Sequence, residues 1–377
     1  MNLETKTPAD DTSSVGPASI SIQRMRGLDA IRYVCALWVV FNHIGPAYQS
    51  MPQQALLLRL ATTLYKAGIS GPAAVIVFFV ISGLCIHFPY RNGAKIDYFS
   101  YYARRYVRIG VPLIAAVLLA RYLTHDGSKS FSLASLNNSV LWSLVAELFY
   151  YTLYPALMLL KKRVGWGILL LTAFAIAYLV IFSHPRLASE GFYPVFGWNL
   201  NWILGLPCWL LGCLLAEGLN SVSARTSQRP KPEQSIWLWR GGIWAASCLT
   251  TLLQFHFHQH SVPLGYSVTL NIFAVAVYFW IRQEIRHFQV YQPSRLLESA
   301  GASSYSLYLT HPIVIGILGI YPFHLGTGTV KWCVIMIEIV AASLVFYLLI
   351  ERPSHLLARS FRPIRRTQID PLTVTLD

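Results

Sequence analysis

The sequence contains ten apolar runs of about 20 residues, and this feature limits the possible folds more than any other. Each run is long enough for an α-helix to cross a hydrocarbon core of about 30 Å. Lipid offers the backbone no hydrogen-bond partner, so the runs predict an all-α, polytopic membrane bundle of about ten transmembrane helices. Charged residues make up only 12% of the sequence, about half of the fraction in soluble domains, which agrees with this class. The predicted spans are residues 31–48, 70–90, 107–124, 139–160, 165–183, 198–219, 236–255, 264–284, 303–321 and 330–351.

The lysines and arginines fall mainly on one side of these spans. Of the 30 in the sequence, 23 lie on the side of both chain ends and six on the other, with Arg32 at the start of the first span. By the positive-inside rule, the N- and C-termini are expected in the cytoplasm. Topology and contact with anionic membrane lipids then account for the net charge of +14, so no nucleic-acid partner is expected.

The polarity of the two ends predicts three divisions of the chain. Residues 1–25 are polar and are expected to form a disordered cytoplasmic tail, and residues 26–353 form the membrane domain. Residues 354–377 are expected to form a basic cytoplasmic tail.

Two ionisable side chains lie inside predicted spans at similar depths. Ionisable groups in hydrocarbon are energetically costly and usually mark a pathway or an active site. At about 1.5 Å per residue, His43 lies ~18 Å from the cytoplasmic surface, and Glu147 lies ~12 Å from the opposite surface. In a core of about 30 Å these depths nearly coincide, so His43 and Glu147 are a candidate pair of base and carboxylate. The alternative is a structural hydrogen bond between them that holds two helices together.

Three arginines lie at the cytoplasmic mouth of the third span, in YFSYYARRYVRIGVP. Arg105 and Arg108 are three residues apart and therefore share a helical face, with Arg104 beside them. Forked guanidinium groups in this arrangement suit phosphates. Anchoring to anionic lipid headgroups is an equally good alternative from the spacing alone.

The second span, FFVISGLCIHFPYR, contains small and polar residues. Ser82 and Gly83 are expected to let a neighbouring helix approach closely, and His87 is expected at the membrane interface.

In the ninth span, His311 lies ~12 Å from the cytoplasmic side. It is expected either to line the same cavity as His43 and Glu147 or to satisfy backbone carbonyls loosened by Pro312. The outer segment HFHQHS has no carboxylate or cysteine beside its histidines, so a solvated loop is expected there and no metal site.

Taken together, these segments resemble the acyltransferase-3 family of integral membrane acyltransferases. The first-span stretch LDAIRYVCALWVVFNH is similar to the family's pattern, in which an arginine is followed after ten residues by a histidine, here Arg32 and His43. The other similar motifs are FFVISG, RRYVRIGVP, LWSLVAELFYYTLYP with Trp142, Ser143, Glu147 and Pro155, SSYSLYLTHP, and ERP beginning at Glu351.

Two positions differ from the family pattern. Ala30 replaces the usual glycine, and Leu148 replaces the second acid of a Glu-Glu pair, so Glu147 is the carboxylate expected to matter. The sequence ends soon after the tenth span, so no fused extracellular esterase-like domain is expected.

The resemblance implies transfer of an acyl group, most often acetyl, from cytoplasmic acyl-CoA to a hydroxyl, commonly on a sugar. His43 is then expected to act as general base, with Glu147 orienting it, because a neutral imidazole can take the hydroxyl proton near pH 7. Arg104, Arg105 and Arg108 would hold the CoA phosphates, and Arg32 would stabilise the thioester oxyanion or the donor. The residues expected to line the acceptor site or the cavity are Asp29, Ser82, Trp142, Ser143, Tyr150 and His311.

The expected partners follow from this chemistry. Acyl-CoA is a co-substrate rather than a bound cofactor, and the acceptor is a surface glycan or a lipid-linked precursor, with glycan-assembly proteins as possible partners. The expected location is the bacterial inner membrane.

Three other classes of protein remain open from the sequence. A transporter would also bury His, Glu and Arg, but it would move its substrate without consuming acyl-CoA. A di-haem electron carrier would need paired axial histidines, for which His43 and His311 are the obvious candidates. A membrane anchor or sensor without catalysis would leave the set of motifs unexplained.

Overall fold

The structure is a computed structural model, and it describes residues 25, 27–47, 56–123, 136, 139–223, 234–320 and 328–361. Of the predicted tails, 1–25 and 354–377, the parts at 1–24 and 362–377 lie outside the described residues. All regular secondary structure in the described ranges is helical, which confirms the all-α class there. The helices are α1 (Leu28–Ile44), α2 (Leu56–Gly68), α3 (Gly71–His87), α4 (Tyr98–Leu123), α5 (Trp142–Ser183), α6 (Pro185–Glu190), α7 (Asn201–Ser223), α8 (Gln234–Gln259), α9 (Tyr266–Val290), α10 (Arg295–Ala300), α11 (Ser304–Ile320), α12 (Gly328–Phe346) and α13 (Arg352–Ser360).

Six helical stretches of the described chain are long and apolar enough to cross a membrane. This supports a multi-pass membrane protein, whereas the number of ten spans and the cytoplasmic position of both termini remain predictions. The six stretches are Leu56–Tyr90, Tyr98–Leu123, Trp142–Ser183, Asn201–Leu219, Arg295–Ile320 and Gly328–Ser360.

Helix α5 covers two of the predicted spans. Its 42 residues would extend ~63 Å if straight, about twice the hydrocarbon thickness. The helix is interrupted at Gly165, where φ is 78° and ψ is 169°, a conformation that glycine adopts without steric cost. The predicted spans 139–160 and 165–183 therefore meet at this kink.

Helix α3 lies at the centre of the bundle. It packs against α1, α7 and α9, and nearly all of its residues are buried. Its sequence is apolar on every side, as expected of a helix surrounded by protein. The Ser70 hydroxyl accepts a hydrogen bond from the Ala73 amide at 3.4 Å, which caps the start of the helix.

The contact between α3 and α7 depends on two glycines. A Cβ atom at Gly83 would lie 1.9 Å from the Trp209 carbonyl oxygen, and one at Gly212 would lie 2.0 Å from the Val80 carbonyl oxygen. The two helices thus meet backbone to backbone, with each glycine facing the other helix. The predicted close approach at Gly83 is confirmed.

The C-terminal end of the described chain returns to α4. A π-helical segment, Tyr347–Glu351, follows α12, and α13 packs against α4. Residues 354–360, assigned from the sequence to a tail, therefore form most of a packed helix. The Glu351 side chain accepts hydrogen bonds from the Ser306 amide at 3.0 Å and its hydroxyl at 2.5 Å, so it satisfies the first turn of α11.

We expect Gly83→Ala to lower the free energy of unfolding by about 3 kcal/mol or more, because the new methyl group would push α7 away. Gly167→Ala is the matched control, since open space surrounds Gly167 within its helix and alanine there should be neutral or stabilise by ~0.5–1 kcal/mol. Thermal unfolding of the purified proteins in detergent measures both effects. Equal stability of the two variants would contradict the backbone contact.

Candidate active site

The Glu147 carboxylate joins three helices. One of its oxygens, Oε1, accepts hydrogen bonds from the Ser82 hydroxyl of α3 and the Tyr151 hydroxyl of α5. Glu147 and Tyr151 are four residues apart, so they share one face of α5. The Trp209 indole of α7 donates to the Ser82 oxygen at 3.2 Å. The carboxylate is therefore bonded directly to α3 and to its own helix, and it is connected to α7 through the Ser82 hydroxyl.

Arg32 lies beside this carboxylate. It donates to Asp29 at 3.1 Å and to the Cys85 sulfur at 3.2 Å, and it interacts electrostatically with Glu147 and Tyr151. Arg32 belongs to the second turn of α1, whereas His43 belongs to the last turn. Their separation of eleven positions corresponds to ~16 Å along the helix, so Arg32 and His43 lie in different parts of the bundle.

Two of the three predicted donor-binding arginines approach the same place. Arg108 interacts electrostatically with Arg32, Arg105 and Tyr151, and Arg105 also interacts with Tyr151. Neither Arg105 nor Arg108 has a hydrogen bond or an ion pair with another described residue. Arg104 differs, because its Nε donates to the Ser100 carbonyl of its own helix at 2.9 Å. We call Arg32, Arg105 and Arg108, with Glu147 and Tyr151, the arginine cluster.

Three further residues complete the arginine cluster: Tyr305 of α11, Glu351 of the π-helical segment and His355 of α13. Tyr305 donates to the Ile109 carbonyl at 2.9 Å and interacts electrostatically with Glu147 and Arg108. His355 Nε2 lies 3.5 Å from the Glu351 carboxylate and interacts with Arg108 and Arg32. The sequence analysis did not place these residues in the site. Two motifs were available signals, since SSYSLYLTHP contains Tyr305 and ERP begins at Glu351, whereas His355 fell in the predicted tail.

His43 lies with His311 rather than with Glu147. The two ring centroids are 5.2 Å apart, with an angle of 40° between the planes. His43 Nδ1 is 2.8 Å from the Val39 carbonyl oxygen, which can only accept, so Nδ1 carries the hydrogen and Nε2 has the free lone pair. The structure thus brings His43 and His311 together, as one sequence interpretation expected. The partners described for Glu147 are instead Ser82, Tyr151 and Arg32.

The comparison with known protein families concerns two centres, the arginine cluster and the pair of His43 and His311. A family model described as an acyltransferase domain, that of the acyltransferase-3 family, matches residues 25–348, which are most of the chain. The chain belongs to the acyltransferase-3 family. No curated protein and no solved structure matches it. Its membrane helices and this family together indicate a membrane acyltransferase, and the matched range contains the histidine pair and most of the arginine cluster.

Two aromatic residues expected to line the acceptor site belong to the core of the acyltransferase. Trp142 is 4% exposed and makes edge contacts with Phe79 and Phe192, and Tyr150 is fully buried with its hydroxyl bonded to the Trp202 carbonyl at 3.0 Å. Neither ring has a free face on which a sugar could stack. This corrects the expectation that Trp142 and Tyr150 line the acceptor site, since both side chains are enclosed by neighbouring helices.

Ser143 and Asp29 have protein partners as well. The Ser143 hydroxyl lies 2.8 Å from the Tyr308 hydroxyl, and both are buried. Asp29 pairs with Arg32 at the first turn of α1. Of the residues expected to line a cavity, Ser82 and Asp29 therefore contact the arginine cluster, and His311 contacts His43.

His87 is fully buried between helices, and its expected depth at the membrane interface remains a prediction. Its Nδ1 lies 2.9 Å from the Tyr154 hydroxyl, and its Nε2 lies 2.9 Å from the Glu217 carboxylate. The same carboxylate oxygen accepts from Lys161 at 2.8 Å and from Trp166 at 3.1 Å. Every polar atom named here has a partner, so this cluster clamps α3, α5 and α7 together.

Two of the three outer histidines of HFHQHS lie in a helix rather than in a loop, and His260 lies in the turn that follows it. His256 and His258 lie in the last turn of α8, and His258 Nδ1 donates to the Ser189 carbonyl at 2.8 Å. Within the described ranges, no group of three or more His, Cys, Asp or Glu side chains could hold a metal ion.

We expect Glu147→Gln to preserve the fold, because the amide oxygen can still accept from Ser82 and Tyr151. Glu147→Ala should lower the free energy of unfolding by about 1–3 kcal/mol for each donor left without a partner. Thermal unfolding in detergent distinguishes the two variants. The same melting temperature for alanine and glutamine would show that these hydrogen bonds do not stabilise the bundle.

Proposed function

We propose that the protein transfers an acyl group, in the first instance acetyl, from cytoplasmic acyl-CoA to a hydroxyl of a surface or lipid-linked glycan. The observation that carries this proposal is the pair of arginines, Arg105 and Arg108, that have no hydrogen-bond or ion-pair partner among the described residues. Guanidinium groups in the membrane domain are costly unless they are paired, so an anionic ligand is the natural partner. The phosphates of acyl-CoA suit them.

The separation of the two centres suits the shape of the donor. Acyl-CoA carries its phosphates at one end of a long flexible arm and its thioester at the other. Arg32 lies with Arg108, whereas His43 lies ~16 Å along α1, so phosphates at the arginine cluster would leave the arm free to extend toward His43. This arrangement favours the donor-binding role for Arg32 over direct stabilisation of the oxyanion.

The chemistry at His43 follows from its tautomer. Its Nε2 lone pair takes the proton of the acceptor hydroxyl while the hydroxyl oxygen forms a bond to the thioester carbon. The C–S bond then breaks, and the CoA thiolate leaves and takes the proton from His43. The products are the O-acyl ester and free CoA. No metal or bound cofactor is part of this scheme.

The acceptor and the location remain part of the proposal. A bacterial inner membrane supplies acyl-CoA on one side and lipid-linked glycans within the same bilayer, and glycan-assembly proteins would present the acceptor.

The test of the proposed acyl transfer uses protein in lipid nanodiscs, radiolabelled acetyl-CoA and the glycolipid fraction of the producing cells. Label should enter the glycolipid as an ester that mild base removes. Uptake of a solute into proteoliposomes without release of CoA would instead indicate a transporter.

We expect Arg105→Gln and Arg108→Gln each to raise KM for acetyl-CoA by about 10- to 100-fold, because each guanidinium–phosphate contact contributes ~1.5–3 kcal/mol. Stability should not fall, since neither arginine has an ion pair to lose. Arg104→Gln is the matched control from the same helix, and its KM should stay within about twofold. A raised KM for the control alone would contradict the proposal.

We expect His43→Asn to reduce kcat by ~10²–10⁴-fold, because asparagine cannot take a proton at neutral pH. The asparagine amide can still donate to the Val39 carbonyl, so thermal stability should be kept. His258→Asn is the control, since His258 makes the same kind of bond to a carbonyl outside both centres. An active His43→Asn enzyme with saturating donor would remove His43 from the mechanism.

A further inference from the structure

The rings of His43 and His311, which contact each other, have the same tautomer when they are neutral. His311 Nδ1 lies 3.2 Å from the Leu307 carbonyl and also interacts with the Tyr308 carbonyl, so it carries the hydrogen, as His43 Nδ1 does toward Val39. Pro312 has no N–H to offer the Tyr308 carbonyl, which explains why Nδ1 of His311 is needed there. In both neutral rings Nε2 is therefore an acceptor, and neither ring can donate to the other.

His311 Nε2 is left without a partner. The side chain is 0% exposed, and this nitrogen has no hydrogen bond within the described part of the chain. A buried acceptor without a donor destabilises a protein, so its presence calls for an explanation. Support of the helix carbonyls accounts for one ring nitrogen of His311 and leaves the other unexplained.

The neighbouring polar groups do not fill this role. The Tyr308 ring lies 5.8 Å from the His311 ring, but its hydroxyl donates to the Val140 carbonyl at 2.7 Å. Tyr65 of α2 donates to the Phe41 carbonyl at 2.8 Å. On α12, which packs against α11, the Glu338 carboxylate has a buried oxygen that can only accept when ionised. His43 is the titratable ring that contacts His311 and can gain a donor.

We propose that His311 is a positioning residue that accepts a hydrogen bond from His43 when His43 carries the substrate proton. This inference rests on the proposed acyl transfer. When the acceptor oxygen bonds to the thioester carbon, its proton moves to His43 Nε2, which becomes a donor that the lone pair of His311 Nε2 can share. The positive charge is thereby stabilised until the C–S bond breaks and the proton passes to the thiolate. His43 is exposed and can reach the substrate, whereas His311 is fully buried.

The kinetic test compares two substitutions of His311. In His311→Gln the amide oxygen can occupy the place of Nε2 and accept, so kcat should stay within about fivefold of wild type. In His311→Leu the acceptor is lost, so kcat should fall by about 10- to 100-fold, the range for a hydrogen bond to a charged group. The acid limb of its pH–rate profile should move to lower pH, because the protonated His43 ring has lost a partner. If His311 only fills space, leucine should be harmless and glutamine should be the damaging change.

The assay measures label transferred from acetyl-CoA to the glycolipid fraction, with thermal unfolding of each variant alongside. Wild-type kcat and an unmoved acid limb in His311→Leu would overturn the proposal. His43→Asn is a separate reference for loss of the base itself.

A second measurement uses the wild-type protein alone, so it depends neither on catalytic turnover nor on the folding of a substituted protein. Nitrogen NMR of wild-type protein labelled at histidine should show a hydrogen on Nδ1 in both rings, with protonation of His43 changing the Nε2 signal of His311. A hydrogen on Nε2 of neutral His43, or a His311 signal that does not respond, would overturn the pairing. If the rings respond to each other but wild-type protein transfers no acetyl group, the proposed function fails and the pairing stands.

Discussion

The backbone contact between α3 and α7 sets the rest of the site. Gly83 and Gly212 each face a carbonyl of the other helix at a distance that admits no Cβ atom. Because Ser82 is adjacent to Gly83, the same contact brings its hydroxyl to the Trp209 indole and the Glu147 carboxylate. A helix surrounded by protein on every side can hold a polar side chain in register only if its neighbours cannot slide. The position of the Glu147 carboxylate thus depends on glycine at positions 83 and 212, because a Cβ atom at either position would push the two helices apart.

Helix α1 connects the two chemical centres and sets their separation. It carries Arg32 near one end and His43 at the other, and each residue contacts a different set of helices. A rigid helix therefore maintains ~16 Å between the arginine cluster and His43. The proposed acyl-CoA donor, whose phosphates and thioester carbon are far apart, could contact both at once, whereas a compact acyl donor could not.

The sequence predicted the helices better than the contacts between them. Apolar runs predict helices in the membrane because lipid leaves the backbone no alternative, and each predicted run overlaps a described helix. Helices α2, α6, α10 and α13 lie outside the predicted runs. The pairing of His43 with Glu147 rested on depth alone, and depth does not say which way a side chain points around its helix. Ser82 faces Glu147 instead, and His311 faces His43. For the same reason, sequence could not tell that Trp142 is enclosed by α3 and its neighbours rather than open to a substrate.

The polar side chains of the bundle differ in how many hydrogen bonds they make. This difference distinguishes side chains that stabilise the fold from those proposed to take part in the reaction. Arg240 makes two hydrogen bonds to Glu284, at 2.7 and 2.9 Å, and the Glu217 carboxylate accepts from His87, Lys161 and Trp166. Such groups stabilise helix contacts because they bond to side chains of neighbouring helices. Among the described residues, Arg105 and Arg108 have no hydrogen bond or ion pair, and the buried His311 Nε2 has no hydrogen bond, which for a buried acceptor lowers stability in the resting protein. Proteins retain deviations of this kind mainly at functional sites, so a substrate phosphate and a transferred proton are the partners that would complete them.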